Sequence, residues 1–364
     1  MLKTTPAVFA VGDRYQIMVQ VRGEAMVGIR IGDRIWYDAS NGIMNSLSEL
    51  HRVTVPMAAL DAAKEYTLLL RPIIARKPYF TETRSLLEYA FPFSPVPESD
   101  IRLYHIADAH NRIEEPVRAA ETFGRIDALV LNGDVIDHSG DPEKFSNIYE
   151  ICSRLTKGSV PVVFSRGNHD MRGSYAERFA NFTPSLHGKT YYSFRLGRLW
   201  GIVLDCGEDK DDAHPEYGMT VACHAFREEQ TDFLRSIAEN PLQEYAAPGV
   251  TTLLVIAHNP FSMKHEPPFD IEENIYRQWC RILRERIKPD LMLCGHMHEC
   301  GIHPAGGVFD HYGQPCTLIL GAAPQKDRFI GCGLIIGNDE ISVVFTDSLG
   351  NTVQGGAIPI LRQQ

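Results

Sequence analysis

The sequence predicts an α/β fold in which two sheets are flanked by helices and preceded by a small all-β sandwich domain. Two observations lead to this prediction. Short, closely spaced strand patterns separated by turns fill the first part of the chain, as is typical of a β-sandwich. Beyond them, apolar runs alternate with helix-like stretches, which indicates parallel strands joined by crossover helices.

The length of the chain exceeds what one compact core usually holds, so we expect two domains. The first is a fibronectin- or immunoglobulin-like sandwich over residues 1–97, and the second covers residues 98–364. A proline-rich segment at residues 91–97 would form an extended linker between them. The strands expected before this linker are residues 15–22, 25–31, 34–37, 51–55 and 66–71.

Five apolar runs in the second part lack polar alternation, which favours strands buried on both faces. They are residues 101–107, 128–132, 160–165, 252–257 and 291–294. Apolar residues spaced by three and four predict helices, at residues 116–126, 143–155, 225–240 and 274–287. Further strands are expected at residues 316–321, 331–336 and 341–346.

A short polar block follows each of the five apolar runs. The blocks are Asp108-Ala109-His110, Gly133-Asp134, Gly167-Asn168-His169-Asp170, His258-Asn259-Pro260 and Gly295-His296-Met297-His298. Ligands collect beyond the carboxyl ends of parallel strands. We therefore expect all five blocks to meet at one edge of one sheet.

The side chains in these blocks are those of a metal site without thiolates. Mixed imidazole and carboxylate ligands suit Mn, Fe or Zn better than Mg or Ca alone. The candidate ligands are Asp108, His110, Asp134, Asn168, His258, His296 and His298. This set exceeds the needs of one tetrahedral ion but suits two divalent metal ions, which together can clamp both oxygens of an in-line displacement.

In this order the blocks resemble those of the calcineurin-like metallophosphoesterase superfamily, over roughly residues 101–345. The resemblance implies two metal sites that share one carboxylate. The first site would be held by Asp108, His110 and His298. The second would be held by Asn168, His258 and His296, with Asp134 bridging the two ions.

The resemblance also implies a chemical mechanism. A metal-bound hydroxide would attack a small phosphorylated substrate. His169 would not bind metal but would protonate the leaving group or donate to the phosphoryl oxygens. Asp170 would stand behind His169 and orient it.

Three positions differ from those of relatives. Purple acid phosphatases resemble this chain in having a sandwich before the catalytic domain, but they carry a tyrosine where this chain has Asp137. They also lack the histidine that His110 provides, so we do not expect a purple enzyme. Asn111 replaces a glycine found in many relatives, and its side chain would narrow the mouth of the site.

Three residues are candidates for substrate contact. Asn111 and Asn259 adjoin metal ligands, and Tyr217 lies in a loop that is either a plain surface loop or a lid over the substrate. The acidic run at residues 208–212 is interpreted as a solvated loop. The function predicted is a metal-dependent phosphatase or phosphodiesterase, with the choice between monoesters and diesters left open. The alternative is a non-catalytic binding or scaffold protein that keeps the fold.

Composition limits the partners. The chain has 36 basic and 46 acidic residues and a formal net charge of −10, which disfavours a nucleic-acid polymer as partner. A small anionic molecule stays compatible, because bound metal ions dominate the charge of their own cleft. The eight cysteines form no C-x-x-C pair, and no signal-like or membrane-spanning pattern is visible. We therefore expect a cytoplasmic protein without a membrane partner.

Overall fold

The structure is a computed structural model that describes residues 1–39 and 42–360. Within these residues the chain forms three β-sheets and six α-helices. The helices are α1 (Met57–Ala63), α2 (Glu114–Phe123), α3 (Ser146–Thr156), α4 (Phe179–Phe182), α5 (Cys223–Glu239) and α6 (Glu273–Ile282). Short 3-10 turns lie at Pro142–Phe145, His169–Met171, Ala176–Arg178 and Pro215–Tyr217, and a π-helical turn at Leu283–Ile287.

The largest sheet has ten strands. They are β1 (Ala7–Val11), β2 (Arg14–Gln20), β5 (Leu50–Pro56), β9 (Ile101–Ile106), β10 (Ala128–Asn132), β11 (Pro161–Ser165), β18 (Ala323–Pro324), β19 (Phe329–Ile336), β20 (Glu340–Asp347) and β21 (Thr352–Pro359). Their order is β21-β20-β19-β9-β10-β11-β1-β2-β5, and β18 pairs with β19. The central strands β9, β10 and β11 are parallel to one another.

The second sheet has six strands in the order β12-β13-β14-β15-β17-β16. They are β12 (Tyr192–Leu196), β13 (Leu199–Leu204), β14 (Thr252–Ala257), β15 (Leu291–Cys294), β16 (Cys300–His303) and β17 (Thr317–Gly321). Strands β13, β14, β15 and β17 are parallel. The third sheet contains β3 (Ala25–Ile31), β4 (Arg34–Tyr37), β6 (Glu65–Arg76), β7 (Thr81–Thr83) and β8 (Leu87–Pro92).

The ten- and six-stranded sheets pack face to face, and helices cover their outer faces. Strand β14 shows why its sequence is apolar throughout. Leu254 and Ile256 belong to the core between the sheets, whereas Leu253 and Val255 pack in the core that includes α5 and α6. Because successive side chains of a strand point to opposite faces, both sets must be apolar when both faces are covered. The predicted two-sheet core flanked by helices is therefore confirmed.

The expected β-sandwich precedes this core. Strands β1, β2 and β5 form one layer, and the five-stranded sheet forms the other, with Val27, Leu68 and Val53 in a shared core. The first layer is also part of the ten-stranded sheet, because β1 pairs in parallel with β11 at Val8↔Pro161 and Phe9↔Val162. The division into two domains after residue 97 stays a proposal, since one sheet crosses it.

The prediction of an extended linker at residues 91–97 is wrong in that this segment does not run free between two domains. Phe91 and Pro92 belong to β8, and Phe93 and Val96 are buried. The ring of Phe93 lies 5.2 Å from that of Tyr15 in β2. The apolar side chains between the prolines therefore pack onto the sandwich. Among the described residues, no helix is both long enough and apolar enough to cross a membrane.

Candidate metal centre

All five polar blocks lie at the carboxyl ends of parallel strands, but they are divided between two sheets. The loops after β9, β10 and β11 carry the first three blocks, and the loops after β14 and β15 carry the other two. The prediction that one sheet carries all five is therefore wrong. The two sheets stack with these strand ends on the same side, so the blocks still converge.

The first cluster contains Asp108, His110 and His298, whose ligand atoms all lie within 4.8 Å of one another. The Nε2 atoms of His110 and His298 are 3.2 Å apart, and His298 Nε2 lies 3.5 Å from Asp108 Oδ1. Asp108 is fully buried, so its carboxylate is directed inward. Two imidazole nitrogens and a carboxylate oxygen facing one point can hold one cation.

The second cluster contains Asp134, His258 and His296, again within 4.8 Å. His258 Nε2 lies 3.1 Å from Asp134 Oδ2, and His296 Nδ1 lies 3.0 Å from Asn168 Oδ1. Asn168 therefore adds an amide oxygen to this group. His258 Nε2 is also 3.7 Å from Asp108 Oδ1, which makes the two clusters direct neighbours.

The position of the hydrogen on the His258 ring suits a metal ligand. Its Nδ1 lies 2.7 Å from the carbonyl oxygen of Asn132, which can only accept, so this nitrogen carries the hydrogen. Its Nε2 is buried and makes no hydrogen bond to a described residue. Burial opposes protonation, but Asp134 and Asp108 outweigh burial and raise the pKa of His258 to about 10. The carboxylates thus favour a positive charge at this place, which a divalent cation could supply instead of the proton on Nε2.

His296, the other imidazole of this cluster, has its pKa shifted in the opposite direction. Burial lowers the pKa of His296 to about 4, with a further contribution from His258. The ring is therefore neutral at pH 7, which is the form that ligates metal. The donor set fits two cations with imidazole, carboxylate and amide ligands.

The backbone around these ligands is unusual. Five candidate ligands have positive φ angles, namely Asp108, His110, Asp134, His296 and His298, with values between 45° and 68°. Non-glycine residues rarely adopt this conformation, and such strain clusters at functional sites. Glycine is needed at position 167 because a Cβ atom there would lie 2.1 Å from Asp134 Oδ1.

Asn132, the last residue of β10, joins the two sheets directly beneath the ligands. Its Nδ2 lies 3.2 Å from the carbonyl oxygen of Ala257 and 3.1 Å from that of Leu293. Both carbonyls belong to the six-stranded sheet, whereas Asn132 belongs to the ten-stranded sheet. Sequence reasoning missed this role, although a lone polar residue ending an apolar run before Gly133-Asp134 was a usable signal.

His169 lies beside the first cluster, with its ring centroid 4.7 Å from that of His110. Its Nδ1 is 2.9 Å from the carbonyl oxygen of Asp137, and its Nε2 is 3.3 Å from Arg172 Nη1. The expectation that Asp170 orients this ring is wrong, because both ring nitrogens have other partners. Asp137 holds the ring through its backbone.

Asp170 instead fixes two neighbouring backbone segments. Its Oδ2 accepts hydrogen bonds from the N–H groups of Gly167 at 2.8 Å and Asp134 at 3.2 Å. The carboxyl group is fully buried, and burial together with Asp134 raises its pKa to about 8. Asp170 therefore positions the loops that carry Asp134 and Asn168 rather than the imidazole of His169.

Sequence reasoning also missed a charged group formed by Arg172, Glu208 and Asp209. The acidic run was interpreted as a solvated loop, but Glu208 is fully enclosed, with 1% of its surface exposed. It pairs with Arg172, and Asp209 Oδ2 accepts a hydrogen bond from Asn168 Nδ2 at 3.3 Å. The interpretation is wrong for Glu208 and Asp209, because cations and amide donors around the site compensate their burial.

The three candidate substrate contacts have different surroundings. Asn259 lines a narrow cavity next to His296, together with the rings of Phe261 and Phe269. Asn111 accepts a hydrogen bond from Asn147 at 3.1 Å. Tyr217 is buried, and its hydroxyl lies 3.1 Å from Glu208 Oε2, so the loop is tied to the site. Their contact with substrate stays a prediction.

The fold and this ligand set are those of a metal-dependent phosphoesterase. Residues 101–300 match the model of the calcineurin-like phosphoesterase family, and this match covers more than half of the chain. The chain therefore belongs to that family. A search of curated protein sequences found no significant match.

A solved structure shares the overall architecture. A purple acid phosphatase, PPD1, from yellow lupin (Lupinus luteus) seeds superposes with a TM-score of 0.58 at 13% identity, covering 98% of this chain and 74% of that one. This likeness shows that the fold, including the N-terminal sandwich, is shared. The protein TT1561 of Thermus thermophilus matches with a TM-score of 0.42 at 13% identity, over 71% of this chain and 99% of that one.

Proposed function

We propose that the protein is a dinuclear metal-dependent hydrolase of small phosphate esters. The observation that carries the proposal is the convergence of seven candidate ligands into two adjoining clusters. Asp108, His110 and His298 would hold one ion, and Asn168, His258 and His296 the other, with Asp134 shared. Two divalent ions bound there would neutralise phosphoryl oxygens and lower the pKa of water.

His169 is the proposed general acid. The carbonyl oxygen of Asp137 fixes its Nδ1, so Nε2, which lies 3.3 Å from Arg172 Nη1, is the nitrogen that would act on substrate. At that atom the imidazole would deliver a proton to the oxygen of the leaving group. The family membership supports a phosphoesterase, whereas this assignment of residues is our proposal.

A small substrate is favoured over a polymer. The net charge of −10 opposes a long polyanion, whereas the centre itself would be locally positive once loaded. Asn111 and Asn259 could bind sugar or phosphoryl oxygens without adding charge. Manganese, iron and zinc are all compatible with the ligand set.

The proposal is tested with metal-supplemented protein and 4-nitrophenyl esters, both the phosphate monoester and its methyl diester. We expect turnover of at least one ester and its loss in His258→Ala. His224→Ala is the matched control, because His224 is exposed and its ring pairs with Glu272 and Glu228 rather than with a candidate ligand. Fully folded, metal-loaded protein that hydrolyses neither ester would favour a non-catalytic binding role.

A further inference from the structure

Arg172 is a cation that the metal centre itself does not explain. It follows the 3-10 turn His169–Met171, three residues after the candidate general acid. Its Nε lies 3.2 Å from Glu208 Oε1, and its Nη2 lies 3.2 Å from Glu208 Oε2. Such a two-point pair fixes the plane of a guanidinium group, which a single contact would leave free to rotate.

The carboxylate that holds Arg172 is itself held in place. Glu208 is 1% exposed, and Tyr217 Oη lies 3.1 Å from its Oε2. The backbone carbonyl of Glu208 accepts a hydrogen bond from Arg227. Exposed ion pairs contribute little because both side chains stay mobile, but this pair is anchored on its acidic side.

The third edge of the guanidinium group is directed at His169, the candidate general acid. Arg172 Nη1 lies 3.3 Å from His169 Nε2, the ring nitrogen that Asp137 leaves available. The side chain of Arg172 is 27% exposed, so a small ligand can reach it. Asp209 Oδ2 is a more distant partner, 3.5 Å from Nη2, so Nη1 is engaged by His169 and not by either carboxylate.

We propose that Arg172 binds the non-bridging oxygens of the substrate and makes the site selective for phosphomonoesters over phosphodiesters. This inference rests on the proposed function. A monoester carries close to two negative charges near neutral pH, whereas a diester carries one. A guanidinium group aimed at the phosphoryl group therefore gains more from the monoester. Glu208 is the positioning residue that keeps the cation in place.

The test compares Arg172→Gln with the wild type on 4-nitrophenyl phosphate and its methyl diester, which share one leaving group. Loss of a charge-assisted hydrogen bond predicts a fall in monoester kcat/KM of about 10- to 100-fold, with the diester changed only slightly. Calorimetry with inorganic phosphate on metal-loaded protein should show about 10-fold weaker binding for the same reason.

Two further variants keep the test decisive. Arg172→Gln leaves the buried Glu208 carboxylate unpaired and can unfold the protein, so Arg172→Gln/Glu208→Gln replaces the ion pair by two amides. It should fold and show the same loss of selectivity. Arg178→Gln is the matched control, since Arg178 is 63% exposed and should change neither ester.

The outcomes separate the two proposals. An equal loss on both esters, or unchanged phosphate affinity in a folded variant, would overturn the role of Arg172. If the wild type hydrolyses neither ester, the proposed function fails. The calorimetry would then still test whether Arg172 binds phosphate.

Discussion

A positive φ angle, which is costly for a non-glycine residue, occurs at five of the candidate ligands, namely Asp108, His110, Asp134, His296 and His298. Each such backbone conformation costs on the order of 1–3 kcal/mol and persists only when its surroundings enforce it. Asp108 and Asp134 are buried carboxylates, whose charge burial disfavours and bound cations would compensate. We therefore expect bound metal ions to stabilise the fold at these residues as well as to supply chemistry.

This dependence predicts a large stabilisation by metal. Chelator-treated protein should unfold at a clearly lower temperature than protein with Mn or Zn. Its free energy of unfolding should be lower by about 4 kcal/mol when the free metal concentration exceeds Kd about 1,000-fold. His258→Ala should lose most of this difference, whereas His224→Ala should keep it. Equal melting temperatures with and without metal in wild-type protein would contradict the prediction.

A second prediction at this scale concerns His169. Its replacement by alanine should lower turnover by ~10²–10⁴-fold while metal content stays unchanged, because His169 is not one of the seven proposed ligands and its ring nitrogens contact Asp137 and Arg172, although it also lies within 4.8 Å of His110. The loss should shrink for esters with good leaving groups, which need less protonation. A uniform loss across leaving groups would instead assign His169 to binding the phosphoryl oxygens.

At the scale of elements, two side chains hold the stacked sheets together at opposite ends of the strands. Asn132 joins them beneath the ligands, as its contacts to Ala257 and Leu293 show. Arg198 joins them at the other end, where its Nη2 lies 2.7 Å from the carbonyl oxygens of Ile336 and Gly337. The metal clusters need ligands from both sheets, so this registration determines their geometry.

The two contacts should differ in their effects. Arg198→Met should destabilise the fold by about 2 kcal/mol or more, because buried carbonyls lose a charged donor, but should leave metal affinity unchanged. Asn132→Leu should weaken metal binding as well, because Asn132 lies next to the loops that carry the candidate ligands. Chemical unfolding of each variant, paired with metal titration, checks this. An unaltered metal affinity in Asn132→Leu would remove the proposed coupling.

At the scale of the whole molecule, the candidate ligands could be proposed from the sequence because each polar block follows a mostly apolar run. The order of strands in space could not, since β10 and β14 have similarly apolar sequences yet belong to different sheets. The pairing of β1 with β11 joins segments far apart in the chain, and no local pattern indicates it. The burial of Glu208 likewise depends on Arg172, which is distant in sequence.

The sheet shared by sandwich and core predicts cooperative unfolding. Phe9 of β1 packs against Tyr149 of α3 and Phe164 of β11, with centroid distances of 6.5 and 6.3 Å. Loss of the sandwich would expose this contact and the edge of β11. Calorimetry of the full chain should therefore show a single transition. Two well-separated transitions would mean that residues 1–97 and 98–364 fold independently.

The most direct test of the account is the number of metal ions per chain. Protein supplemented with Mn, Fe or Zn and then freed of loose metal should contain about two ions per chain by elemental analysis, because seven ligands exceed the needs of one ion. His298→Ala should retain about one, since it removes a ligand of the first cluster only. One ion or none in fully folded wild-type protein would contradict the dinuclear centre.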